Sequence, residues 1–296
     1  MIFGLGSEIA GVAVTRSIAK WFKGGKVALA MGLQLAIARL GTATAFILSP
    51  MLVAEKSAGQ MYSLAETSRP ALVGLCLLFA GAVAMDAAHD RRNGIVAGRG
   101  QVAETDKFKF SDIIKLLTNG RFIMIALLCV FFYCCIISFK KFGTSIVIPR
   151  FDMDVDSAKW LITMIPFFTV IFTPLFGALV DKTGKAPLWM GVGSVSVLTG
   201  HLLLGFAPQD VPFFGYLAIS LLGLGYSLVP SAMWPSVPKI VPARNLGTAY
   251  SLIYWIQNIG LFFVPKIVGR TFANHTGIEA ALKVEYLFIA LGVVAC

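Results

Sequence analysis

Apolar and polar positions alternate along this chain in long blocks, not in the short periods of a soluble fold. Apolar runs lie near 2–20, 27–50, 70–88, 121–142, 158–180, 187–206, 213–235, 247–268 and 284–296. Most approach the roughly 20 residues that let a helix cross about 30 Å of hydrocarbon. One polar stretch, 89–119, is longer than the rest: it opens with HDRRNGIVAGRGQ and closes on KFKFSDIIKLLTNG. In the closing piece Phe110, Ile113, Ile114 and Leu117 recur at helical spacing, which predicts a short helix lying along the membrane surface. Residues 89–106 read as a mobile linker.

The blocks predict an all-α membrane protein of about nine transmembrane helices. A three-helix piece, 1–88, is joined through a cytoplasmic linker, 89–120, to a six-helix piece, 121–296. The last run stops at Cys296 and the first begins at the first residue, so the chain is expected to be a fragment of a six-plus-six molecule. Small residues crowd the first two runs (Gly4, Gly6 and Gly11, then Ala28, Gly32, Ala36 and Gly41). They allow close helix approach, and the short turn Trp21–Lys26 makes the two helices antiparallel neighbours.

Composition agrees: 57% of residues are hydrophobic, 14% are charged and the mean hydropathy is +0.80, against about 25% charged in a soluble domain. Charge adds orientation. Alternate loops hold fourteen Lys and Arg against six acids, while the opposite loops hold nine against eight. The excess assigns the first set to the cytoplasm. It also accounts for the net charge of +10 without nucleic acid as a partner; the partner it implies is the lipid bilayer. The five cysteines fall in apolar runs at no metal-ligand or redox spacing, so neither metal nor cofactor is expected. Asn274-His275-Thr276 is a glycosylation acceptor on the outer side.

Three places hold candidate chemistry. Glu8 and Arg39 each lie twelve residues from the cytoplasmic end of a neighbouring run, about 18 Å deep at helical rise. They either form a structural pair or face a watery cavity, and intramembrane ionisable residues are functional by default. The loop GALVDKTGK places Gly177, Asp181, Lys182, Gly184 and Lys185 on the cytoplasmic face. There Asp181 suits the positive N-terminus of another helix. The stretch 221–260 carries Pro230 and Pro235 inside an apolar run, as gating helices do. It also offers Tyr226, Trp234, Tyr254, Gln257 and Asn258 as cavity-lining residues, against interhelical packing as the plainer role. Lys140 and Lys141 read as interfacial anchors sooner than as a ligand site, Arg16 as a snorkelling side chain, and His201 as a satisfied core residue sooner than as a proton carrier.

The spacing G-x-x-x-D-K-x-G-K resembles the signature loop of the major facilitator superfamily in its second-half position. That resemblance implies a partial bundle holding helices four to twelve of an expected twelve. With GLGYSLVPSAMWPSVPKIVP, LGTAYSLIYWIQNIGL and the Glu8–Arg39 region, the chain is similar to the lysosomal dipeptide transporter branch of that family. The branch implies a lysosomal facilitator of dipeptides, with a glycosylated single-span accessory subunit as partner. It also implies that Glu8 takes the substrate ammonium and Arg39 the carboxylate. Pseudo-symmetry implies that Asp181 latches onto the helix starting near Gly25 and Lys26. Without helices one to three the chain is not expected to transport by itself. The alternatives are a carrier of another organic solute or a non-transporting receptor or scaffold. No nucleophile–base or metal constellation suggests an enzyme.

Overall fold

The computed structural model describes residues 2–22, 26–53, 63–97 and 110–296. Among these, all regular structure is helical: α1 (Ile2–Trp21), α2 (Val27–Met51), α3 (Leu64–Ala97), α4 (Phe110–Leu117), α5 (Gly120–Phe151), α6 (Val155–Thr183), α7 (Ala186–Phe206), α8 (Pro212–Ile240), α9 (Leu246–Asn274) and α10 (Gly277–Ala295). A 3-10 turn, Ala243–Asn245, leads into α9. Helices α5 to α9 are long and apolar enough to cross a membrane, and α1, α2 and α3 contain shorter apolar stretches. The all-α class and the partial-bundle architecture are those the block pattern implies.

The described chain forms two compact units, Met1–Arg39 with Phe108–Cys296, and Leu40–Lys107. In the smaller unit α3 starts at a capping box: Glu66 accepts from the Ser63 amide at 2.7 Å, and the Ser63 hydroxyl accepts from the Glu66 amide at 3.3 Å. Reciprocal satisfaction of two orphan amides is what begins the helix there, ahead of the apolar run. Leu75, Leu77, Leu78 and Phe79 are exposed along α3.

In the larger unit α7 and α6 both pack on α8, while α5 packs on α9 and α10. Glycines set the α7–α8 approach. A Cβ on Gly225 would lie 2.6 Å from the Gly193 carbonyl oxygen, and one on Gly200 would lie 3.0 Å from that of Ala218. Asn119 opens α5 by accepting from the amides of Arg121 and Phe122. Asp154 opens α6 in the same way through Asp156 and Ser157. Its hydrogen bonds from Ser157 hold that exposed carboxyl below the usual carboxylate range. Helix α5 continues past Lys140 and Lys141 and ends only where Asp152 turns left-handed (φ 47°). The two lysines therefore lie within a helix and not at its end. Helix α4 forms as the spacing predicts, with Leu116 and Asp112 buried and Ile114 and Leu117 exposed. Arg16 lies against α9, where a Cβ on Gly247 would meet its guanidinium at 3.4 Å.

Candidate functional site

The G-x-x-x-D-K-x-G-K loop straddles the end of α6, and its residues have separable jobs. Gly184 takes φ 67° and closes the helix, its amide donating to the Val180 carbonyl at 2.9 Å. A left-handed closing position favours glycine because no Cβ meets the carbonyl there. Gly177 allows contact with α2: a Cβ there would lie 2.5 Å from the Ala28 carbonyl oxygen. One turn further on, the Asp181 carboxylate accepts from the amides of Ala28 at 3.1 Å and Leu29 at 2.9 Å. These are orphan donors of the first turn of α2, so an anion caps a positive helix end supplied by a different part of the chain. Gly32 repeats the close approach one turn deeper, where its Cβ would meet the Thr173 carbonyl oxygen at 2.7 Å. Lys182 and Lys185 are exposed.

At greater depth α2 brings Arg39 to α8. The guanidinium donates to the Tyr226 hydroxyl, and its carbon sits 4.9 Å from that ring's centroid. Tyr226 is buried in an aromatic group. Tyr133 meets it edge-on at 6.2 Å, and the Trp234 indole N–H donates to the Tyr133 hydroxyl at 3.1 Å. Tyr254 stacks on Trp234 at 4.8 Å. The Tyr254 hydroxyl lies 3.7 Å from where a Cβ on Gly11 would stand, so α1 passes close to this group one turn beyond Glu8. The Glu8 backbone belongs to α1; its side chain lies outside the described residues. Lys140 of α5 adds a second cation, its ammonium 5.4 Å from the Tyr226 centroid.

The remaining candidates are dispersed. Gln257 is buried and accepts from the Cys129 thiol at 3.2 Å, tying α9 to α5. Asn258, beside it, is half-buried. Asn274 is the exposed last residue of α9. Nearby, Glu279 pairs with Lys283 at 2.8 Å and His275 at 3.1 Å. Lys283, with a smaller part from His275, keeps its carboxyl below the usual range. His201 is fully buried, its Nδ1 2.8 Å from Glu285 Oε2. Arg150, also buried, donates to the carbonyls of Leu204 at 2.8 Å, Gly205 at 3.3 Å and Ala207. It thereby satisfies the end of α7.

The family model described as Major Facilitator Superfamily matches residues 1–265. The chain belongs to that superfamily. Among curated relatives, the mouse protein named lysosomal dipeptide transporter MFSD1 is 31% identical over 98% of this chain and 61% of its own length. The human protein of the same name is 29% identical over 100% of this chain and 61% of its own length. A Bacillus subtilis protein named uncharacterized MFS-type transporter YwoD is 24% identical over 58% of this chain and 38% of its own length. The chain thus spans about three fifths of the length of the MFSD1 relatives. Membership of this superfamily gives the α2–α6 clamp and the Arg39–Tyr226 group a common context: a multi-pass membrane bundle whose members are transporters, not enzymes.

Tyr133, Arg150 and Glu285 are residues of these clusters that sequence reasoning misses, and Lys140 is one that it takes for an anchor. For Lys140 a signal exists, because the apolar pattern resumes at Ile146-Val147-Ile148 beyond the two lysines. Tyr133 has none, being one aromatic among several in its run.

Proposed function

We propose that this chain forms the substrate-binding part of a secondary transporter that moves dipeptides or similar zwitterions across the lysosomal membrane by alternating access. One observation carries the reading. Arg39, twelve residues past the start of α2, is half-buried, fixed by Tyr226, and enters none of the ion pairs found among the described residues. A guanidinium has five donors in a planar fork, and one bond to Tyr226 leaves others for a substrate carboxylate. Glu8, one turn before Gly11 on α1, is the proposed partner for the ammonium end. The name borne by the mouse and human relatives supports the substrate class and the compartment. The glycosylated accessory subunit is proposed on family resemblance, and Asn274 is proposed as a glycan site of this chain itself. Gly177, Asp181 and the α2 amides are the proposed cytoplasmic gate, closed in this conformation, with Lys182, Gly184 and Lys185 shaping its loop.

Uptake of labelled dipeptides into vesicles holding the full-length protein tests the reading. Arg39→Ala and Glu8→Gln should each reduce uptake about tenfold or more, the loss expected when a charge-assisted bond worth about 1.5–3 kcal/mol is removed. Unchanged uptake in both variants would remove the site. Transport of an organic anion is a second reading, favoured by Lys140 lying beside Arg39. Under it, Arg39→Ala would be impaired and Glu8→Gln would not.

A further inference from the structure

Two cations, Arg39 from α2 and Lys140 from α5, approach one buried ring, that of Tyr226, at 4.9 Å and 5.4 Å from its centroid. Distances below about 6 Å are those at which a ring quadrupole attracts a cation, so Tyr226 holds both in place. The ring cannot neutralise two charges. None of the ion pairs found among the described residues includes either cation. Lys140 is half-buried and lies twenty residues into a helix of 32, away from the helix ends where a lysine would reach water. Two like charges held at one partly desolvated place repel each other unless an anion joins them.

We propose that Lys140 is the second cation of a carboxylate subsite built with Arg39 on the ring of Tyr226, and that it makes a free carboxylate a requirement for tight substrate binding. This rests on the reading of Arg39 as the carboxylate ligand. Arg39 supplies the planar, directional grip, oriented by the Tyr226 hydroxyl. Lys140 supplies a point charge on a flexible stem that follows the carboxylate as the site changes shape. The carboxylate belongs either to a dipeptide's C-terminus or to an organic acid.

The test uses the full-length protein with Lys140→Gln and Lys140→Arg, read in two ways. In vesicles, KM is measured for alanyl-alanine and for its C-terminal amide. In detergent, thermal stabilisation is measured with N-acetylalanine, which has a carboxylate and no amine. Lys140→Gln should raise KM for alanyl-alanine about tenfold, leave KM for the amide unchanged and abolish stabilisation by N-acetylalanine, and Lys140→Arg should restore most of both. Should Lys140→Gln not fold, Lys140→Met, which keeps the aliphatic stem, carries the same comparison. A rise in KM shared equally by acid and amide overturns the proposal, as does N-acetylalanine stabilisation that survives Lys140→Gln or is missing from the wild type. If the wild type moves no dipeptide yet N-acetylalanine stabilises it through Lys140, the dipeptide reading falls while the subsite stands with an organic acid as its occupant. If dipeptides move and Lys140→Gln leaves KM unchanged, the reverse holds.

Discussion

Glu285 and His201 illustrate what a single residue tells and conceals. Both are fully buried, their contact is 2.8 Å, and Glu285 Oε1 and His201 Nε2 have no hydrogen-bond partner among the described residues. Taking such a pair out of water costs about as much as its attraction returns, whereas stranding one partner costs about 3–5 kcal/mol. Glu285→Leu alone should therefore lower the melting temperature of the purified protein by several degrees. The double variant His201→Phe with Glu285→Leu should recover most of the loss, filling the space beside Phe139 and Phe288 that already flank the imidazole. A double variant as unstable as the two single losses combined would show that the two residues are uncoupled and that neither strands the other. His201 is legible in the sequence as a satisfied core residue. Its partner is not, because Glu285 stands near the start of an apolar run 84 positions away and reads as part of the outer loop. Only the register of α7 against α10 joins them.

At the scale of elements, apolar runs locate helices well and their ends poorly. The reason is that hydropathy marks where lipid begins, while hydrogen bonding decides where a helix stops. Helix α3 starts six residues before its predicted span because Ser63 and Glu66 cap it. Helix α8 runs to Ile240, although Pro235 and Pro238 each remove an amide and predict a break. At Pro238 the compensation is visible. The Trp234 carbonyl, which an amide at 238 would have served, accepts from the Tyr250 hydroxyl at 3.3 Å. A side chain from α9 thus stands in for the missing backbone donor. Tyr250→Phe should loosen the last turn of α8 by about 1 kcal/mol, with faster hydrogen exchange at the amides of 239–241 and little change near 220–230. Unaltered exchange at 239–241 would mean that the proline break is tolerated without help. The candidate site divides in the same way. The loop glycines, Asp181 and Arg39 are legible because few residue types do their jobs, whereas Lys140 reads as an anchor until α5 is seen to continue past it.

For the molecule as a whole, the α2–α6 clamp is, under the proposed gate, the contact that opening the cytoplasmic end would break. It joins two parts of one compact unit, 1–39 and 108–296, at the end the charge bias assigns to the cytoplasm. Its grip has two components, the backbone-to-backbone approach at Gly177 and Gly32 and the carboxylate of Asp181 on two amides. These respond differently to substitution. Loss of a capping side chain costs about 0.5–2 kcal/mol, and each kilocalorie or two changes a two-state ratio by about 5–30-fold. Asp181→Ala should therefore leave the clamp able to form but open it more often, and Asp181→Asn should be milder because one oxygen still accepts. Gly177→Leu is of another kind. Its Cβ alone would stand 2.5 Å from the Ala28 carbonyl oxygen, a distance that no rotamer relieves, so α2 and α6 must separate. A cysteine placed at Leu29 and probed from the cytoplasmic side with a membrane-impermeant maleimide reads this order directly. Labelling should be slowest with Asp181 and Gly177 intact, faster for Asp181→Asn, faster again for Asp181→Ala, and fastest for Gly177→Leu. If all four label alike, the contact is a local packing feature with no part in closing the passage, and the gate must be sought elsewhere in the bundle. If only Gly177→Leu differs, packing alone holds the cytoplasmic end shut and the acid of the signature loop serves the turn of α6 instead.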